Sequence, residues 1–500
     1  MPLHLHRCRT KGFTRPTSSH WTAPDKKHEH DASVIISHSP PPTSALSFPG
    51  ASVGRGYIHV PVTRRATPES TGLQRRGPAS QDLGNAQNGG YMVNILDTGS
   101  IELWVDPDCS KARPVNTTSG ASDSTNGVNN PDVDANFCKD VGRYDPKKSS
   151  SAKSAPGLSG GSTLQYADFT TATVNYYQDT MSIAGVTIDN QIFGVANASN
   201  QTATGILGIA PNPLGFNDTP EYPYSLMLSN MQKQGLIQSR AFSLDLRDFD
   251  NTTGSLIFGG VDKSRYKGAL QQVPFETVDA KASDGSTFKQ YAYWVKVTSM
   301  SFSAPGAKSS SKSYALPTGN SFTADLDSGT GGILLPDGLT SEICSDMNGT
   351  VRGANCWVDC SARDQPLGGI TFGFNGDNKI TVSYQNLIQA VTQKQGDGKT
   401  IEFCYLAAST TGIVSDPPTY ILGAPFLRSA YAVFDWDNQN VHLAQAATCG
   451  SSSDIVAIGT GSNAVPAGDG NCPSSWAARG VVLNAGLTVA AALLAVVVML

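Results

Sequence analysis

Charge is scarce in this chain: 15% of its 500 residues are Asp, Glu, Lys or Arg, and the net charge is −5. A surface that holds nucleic acid needs a basic excess, so that class of partner is excluded. Long apolar runs at helical spacing are few, whereas short alternating stretches and Ser, Thr, Gly and Asn abound, which points to a loop-rich, mainly β protein. The nine cysteines include no paired C-x-x-C arrangement with histidines at metal-ligand spacing. No metal site is indicated, and disulfides are the better use for them. Residues 1–56 hold no apolar core long enough for a signal peptide and show neither helical nor strand period, so they read as disordered. The length allows two lobes, each with its own core.

What the chain does have is a repeated turn. In Asn94–Val105 an apolar strand runs into Asp97-Thr98-Gly99-Ser100 and on to Leu103-Trp104-Val105. A second copy, Ala324-Asp-Leu-Asp327-Ser328-Gly329-Thr330, follows 327 − 97 = 230 residues later. Asp-Thr-Gly alone is an ordinary turn, with Asp bonding its own backbone. Here, however, each copy is followed by an apolar-apolar-Gly element, Gly205-Ile-Leu-Gly-Ile-Ala210 and Tyr420-Ile-Leu-Gly-Ala-Pro425. The order is a divergent internal repeat, with one carboxylate on each of two equivalent loops.

These motifs resemble the pepsin-like aspartic proteases. So do Tyr166, Ala241-Phe-Ser-Leu-Asp-Leu246, Phe258-Gly-Gly-Val-Asp262 and Ile421-Leu-Gly-Ala-Pro-Phe-Leu-Arg428, and the likeness covers roughly residues 78–446. With the tail described below, the nearest group is the fungal surface-anchored enzymes, yapsin-like or candidapepsin-like. The resemblance implies a mainly β, bilobal fold with the active site in the cleft between lobes, acting as an endopeptidase on polypeptides without a cofactor. It implies that Asp97 and Asp327 share one proton and activate a water, supported by Thr98, Gly99, Ser100, Ser328, Gly329 and Thr330. It makes Tyr166 the tyrosine of a substrate-covering flap, Trp104 its anchor, and Cys360 with Cys404 a disulfide. Asp168, two residues after the flap tyrosine, would favour a basic side chain before the cut. Cys344 with Cys356 is the next pairing.

The chain departs from the family at three places. The strand, Gly-Thr-Pro turn and strand that precede the first aspartate loop are absent, because Tyr91-Met-Val-Asn94 runs almost directly into Ile95-Leu-Asp97. Phe169 stands where the flap commonly has glycine, and Leu422-Gly423-Ala424 replaces Leu-Gly-Asp. The first two favour a rival reading, a catalytically impaired pepsin-fold wall glycoprotein or binding module.

The expected organisation is a disordered leader and propeptide over 1–76, an N-terminal lobe over 77–268 and a C-terminal lobe over 269–446. A Ser/Gly/Ala-rich stalk over 447–480 and an apolar tail over 481–500 follow. The dibasic pairs Arg64-Arg65 and Arg75-Arg76 suit a processing protease. Cys109 and Cys138 bracket a polar insertion that their pairing would staple. Asn116, Asn197, Asn200, Asn251 and Asn348 are glycosylation acceptors; a sixth sequon at Asn217 is followed by Asp-Thr-Pro. Small residues Gly468, Asp469 and Gly470, a polar spacer and then Val481–Leu500 fit a GPI-attachment signal, which would place a monomeric enzyme on the outer cell surface. The alternative for the tail is a transmembrane anchor.

Overall fold

The computed structural model describes residues 33–38, 52–63, 91–105, 144–158, 160–166, 171–200, 205–216, 224–247, 253–281, 286–309, 312–353, 355–394, 399–410, 420–447 and 453–470. Among these residues strands dominate. The same arrangement occurs twice. In the first half Tyr91–Asp97 runs parallel to Gly205–Gly208 with Ile95 opposite Ile206, and Leu103–Val105 pairs antiparallel to that same strand with Trp104 opposite Ile206. In the second half Phe322–Leu326 runs parallel to Tyr420–Leu422 with Asp325 opposite Ile421, and Ile333–Leu335 pairs antiparallel to it with Leu334 opposite Ile421. The offset of 230 again relates the partners, since 95 + 230 = 325 and 104 + 230 = 334. These strands are apolar because they are central. Leu96, Leu103, Trp104, Leu207, Leu326 and Leu422 are all buried, and a strand covered on both faces reads as a continuous apolar run.

The three second-half strands lie in a five-stranded sheet of their own, while other strands of the second half join those of the first in a 15-stranded sheet. Ala241–Asp245 pairs with Ala430–Asp435, and Phe242 stacks on Phe434 with ring centroids 4.8 Å apart. Tyr266–Pro274 passes the expected lobe boundary at 268/269 with only a bulge between Lys267 and Gln271, and pairs with Asn440–Ala446. The lobes are therefore tied by shared sheet. Met227–Lys233 is a short amphipathic helix before Gly235, with Met227, Leu228 and Met231 buried. In the second lobe Cys344 is bonded to Cys356 and Cys360 to Cys404. The Cys109 to Cys138 pairing lies outside the described residues.

Both ends of the chain depart from expectation. Ser33–His38, assigned to a disordered leader, pairs antiparallel with Tyr91–Asp97 from Ser33 opposite Ile95 to Ser37 opposite Tyr91. It covers the edge of Tyr91–Asp97 opposite Gly205–Gly208, where unpaired N–H and C=O groups require a partner. The segment Ser-Val-Ile-Ile-Ser is a short β-branched run, too brief to register as a period. Tyr57–Thr63, a short alternating stretch inside the expected propeptide, is a strand that pairs with Thr253–Phe258 over six residues, and Ile58, Val60 and Val62 are buried. Most of 33–63 that is described is thus part of the body.

The stalk departs from expectation in the same way. Ile455–Ala457 pairs with Gly260–Asp262, and Ile458, Ala464 and Val465 are buried against Val261, Tyr266 and Tyr431. Ser453 Oγ and the Asp454 N–H both donate to the Asp262 carboxylate, each at 2.9 Å. A few apolar side chains, diluted by Ser and Gly, are enough to dock the segment once an apolar surface is available. Asp469 bridges Ala269, and the Gly470 N–H donates to the Gly268 carbonyl at 2.9 Å. Among the described residues no helix is long and apolar enough to cross a membrane, and 481–500 lies outside them.

Candidate active site

Each aspartate sits where a buried strand ends, so the sheet register decides where its carboxyl points. Asp97 Oδ1 accepts the Gly99 N–H at 2.9 Å and Oδ2 the Ser100 hydroxyl at 2.5 Å. Asp327 Oδ1 accepts the Gly329 N–H at 2.8 Å and Oδ2 the Thr330 hydroxyl at 2.5 Å. The two loops also abut. A Cβ on Gly99 would lie 2.5 Å from Asp327 Cγ, and one on Gly329 would lie 2.5 Å from Asp97 Oδ1. Only glycine lets the carboxyl of the opposite loop come so close.

Thr98 and Ser328, both fully buried, cross between the loops. The Thr98 N–H donates to Ser328 Oγ at 3.1 Å and the Ser328 N–H to Thr98 Oγ1 at 2.9 Å. Their hydroxyls then donate across to Leu326 O at 2.6 Å and Leu96 O at 2.8 Å. Sequence reasoning assigned both residues to dyad support but missed this exchange, because no local pattern links residues 230 apart.

The pair is secluded, with Asp97 7% and Asp327 9% exposed. Burial first, and the charge of Asp327 second, hold the Asp97 carboxyl well above the ordinary carboxylate range, while Ser100 and Gly99 pull the other way. Such a pair can hold a single proton and offer one base and one acid to a bound water.

Trp104 Nε1 donates to the Tyr166 hydroxyl at 2.6 Å. Burial and the Asp97 charge push the Tyr166 pKa up, so the hydroxyl keeps its proton. Asp168 and Phe169 lie outside the described residues. Ala424 preserves the backbone contact of its loop: its N–H donates to Thr330 O at 2.8 Å, as the Ala210 N–H does to Ser100 O at 2.9 Å. A second miss is Tyr293, whose hydroxyl donates to the Ile209 carbonyl at 2.6 Å while accepting from Trp436 Nε1. The Ile209 N–H in turn holds the Asp97 carbonyl at 2.9 Å. The residues involved are far apart in sequence and gave no signal.

Of the expected glycosylation sites, Asn197 and Asn348 are exposed, Asn200 ends the strand Val186–Asn200, and Asn116 and Asn251 lie outside the described residues. Cys360, Glu402 and Cys404 form the only cluster of metal-type ligands among the described residues, and its two sulfurs are bonded to each other.

The profile of the family described as Eukaryotic aspartyl protease matches residues 86–446. The chain is 33% identical over 379 residues to the probable aspartic-type endopeptidase opsB of Aspergillus oryzae, covering 74% of this chain and 69% of that protein. It is 29% identical over 445 residues to candidapepsin-3 of Candida albicans, covering 86% and 96%, and 30% identical over 394 residues to candidapepsin of Candida tropicalis, covering 78% and 84%. On the matched profile, these relatives and the paired aspartate loops, the chain belongs to the eukaryotic aspartyl protease family and is an aspartic-type endopeptidase.

Proposed function

We propose that Asp97 and Asp327 are the catalytic dyad, hydrolysing peptide bonds at acid pH with one proton shared between them. The ionised carboxyl takes a proton from the water as its oxygen attacks the carbonyl carbon, and the protonated carboxyl gives its proton to the carbonyl oxygen. The resulting diol collapses as the C–N bond breaks: one diol hydroxyl returns its proton to the carboxyl that had given one up, and the departing nitrogen takes the proton that the other carboxyl drew from the water. The mirrored set of donors around the two carboxyls carries this reading. Cleavage of a denatured protein near pH 4 should be blocked stoichiometrically by a statine-type inhibitor, and undiminished cleavage in its presence would overturn the assignment.

The same reading makes the enzyme a secreted, glycosylated monomer held at the cell surface by a GPI anchor. Two disulfides, the exposure of Asn197 and Asn348 and the apolar Val481–Leu500 support it. Because Asp469 and Gly470 are paired to the body, attachment there would tether the enzyme at short range. Phosphatidylinositol-specific phospholipase C should release surface enzyme, whereas a mature protein that still contains the 481–500 peptide would mean a transmembrane anchor. Activation of a zymogen by cleavage after Arg76 completes the reading. Since Ser33–His38 and Tyr57–Thr63 are sheet strands, the cut leader stays bound as a separate chain under native conditions and separates on denaturation. Asp168 near the flap adds a preference for Lys or Arg before the cut, which Asp168→Thr should weaken in a peptide-library profile.

A further inference from the structure

A third carboxyl, Asp325, lies beside the dyad and has no part in the chemistry above. It precedes Asp327 by two residues on Phe322–Leu326. Side chains alternate along a strand, so Asp325 shares the cleft-facing side with Asp327, while Ala324 and Leu326 are buried in the core on the other side. Its neighbours across the sheet, Trp294 and Ile421, are apolar and buried. The matching position of the first lobe, 325 − 230 = 95, is Ile95. The fold therefore accepts an aliphatic side chain at this place and has a carboxyl there instead.

That carboxyl is 9% exposed, and its Oδ1 is buried with no hydrogen-bond partner. A buried acceptor left unpaired is costly, and such groups concentrate where a ligand completes them. Burial, then the charge of Asp327, keep its pKa well above the ordinary range. That direction favours the protonated form, whose proton an arriving cation displaces. An extended peptide crossing the dyad places one flanking side chain over each lobe. In that pose the flank over the first lobe would lie nearest Ile95 and the flank over the second nearest Asp325.

We propose that Asp325 is a specificity-determining residue that selects a lysine or arginine side chain on the substrate residue lying over the second lobe beside the scissile bond. The proposal rests on the peptidase reading of the dyad and concerns a different residue from the flap-side Asp168. Two peptide series, one varying each residue that flanks the cut, give the test with lysine set against norleucine. For one flank only, wild-type enzyme should favour lysine by about 10- to 100-fold in kcat/KM, the worth of a charge-assisted contact. Asp325→Asn should erase that preference, and Asp325→Ile, copying the other lobe, should reverse it. A library profile that Asp325→Ile leaves as it was would overturn the proposal.

Binding provides a readout without turnover. A non-cleavable reduced-bond peptide carrying lysine on the affected flank should bind wild type about 10- to 100-fold tighter than its norleucine twin, as measured by calorimetry. Equal affinities would overturn the proposal even if neither variant folded. Failure of the peptidase reading looks different: no peptide in either series is cut, or Asp97→Asn cuts them as well as wild type does.

Discussion

Asp97 and Asp327 receive equivalent donors, a glycine N–H at 2.9 and 2.8 Å and a hydroxyl at 2.5 Å, yet the residues around them differ. Two positions upstream the first loop has Ile95 and the second Asp325; seven positions downstream the first has Trp104, bonded to Tyr166, and the second has Leu334. At the centre of each loop the arrangement is the same, each glycine admitting the opposite carboxyl. At the margins the two copies differ. On the dyad and specificity readings proposed above, symmetry in this two-fold repeat marks the reaction and asymmetry marks the selection of substrate.

The largest effects should come from breaking the symmetric part. Asp97→Asn or Asp327→Asn should each lower kcat by about 10²- to 10⁴-fold or more with the fold retained, since one acid or base is lost from a shared pair. Substantial activity in either folded variant would show that the loops are not equal partners. Next come the crossing bonds. Thr98→Val removes the hydroxyl that both receives the Ser328 N–H and donates to Leu326 O, and Ser328→Ala does the mirrored damage. Each should cost about 1–3 kcal/mol in urea denaturation, because buried partners are left unsatisfied. Each single variant removes two of the four bonds and loosens the other two, so the double variant should cost less than the sum, and strict additivity would show the two halves to be independent.

How much of this was legible in the sequence follows from the range of each interaction. The aspartate loops and the Ile-Leu-Gly strands were readable because they are local patterns, and the repeat made two weak signals into one strong one. The resemblance supplied what spacing does not, notably Trp104 with Tyr166 and Cys360 with Cys404. The Thr98–Ser328 exchange and the Tyr293 contact to Ile209 were hidden because they join residues remote in sequence. Ser33–His38 and Ser453–Gly470 were misjudged for a related reason. Their composition suits an exposed chain, and only an open sheet edge and an uncovered apolar surface elsewhere in the fold make them structured.

The second margin has its own signature in stability. Asp325 has a folded-state pKa above its unfolded value near 4, so between those values the folded protein holds the extra proton. Stability contributed by this group is present at low pH and falls as pH rises through that window, by about 1.4 kcal/mol per pH unit at most. Asp97 acts in the same direction. His442, lowered by burial to about 4, and His59, lowered by burial against the pull of Asp262, act in the opposite direction below pH 6.5. These terms are common to wild type and Asp325→Asn, so the difference between the two isolates Asp325. The variant should gain on wild type as pH is raised from about 4 in paired melting curves. A pH-independent gap would place the Asp325 proton equally in folded and unfolded states.

The smallest effect belongs to the margin of the first lobe. Trp104→Phe keeps a buried aromatic ring but removes the N–H that holds the Tyr166 hydroxyl at 2.6 Å. The bond is made by a half-buried group that can turn to water, so its net worth is about 0.5–1.5 kcal/mol. If the bond positions Tyr166 over the substrate, that energy should appear as a two- to tenfold loss in kcat/KM. Thermal stability should fall little, because the ring still fills its site. Leu334→Ala, at the equivalent place in the second lobe, should show the converse: a measurable loss of stability from a shortened side chain and little change in kcat/KM. A tenfold or greater activity loss in Leu334→Ala, with none in Trp104→Phe, would mean that substrate is covered from the second lobe and that the asymmetry described here runs the other way.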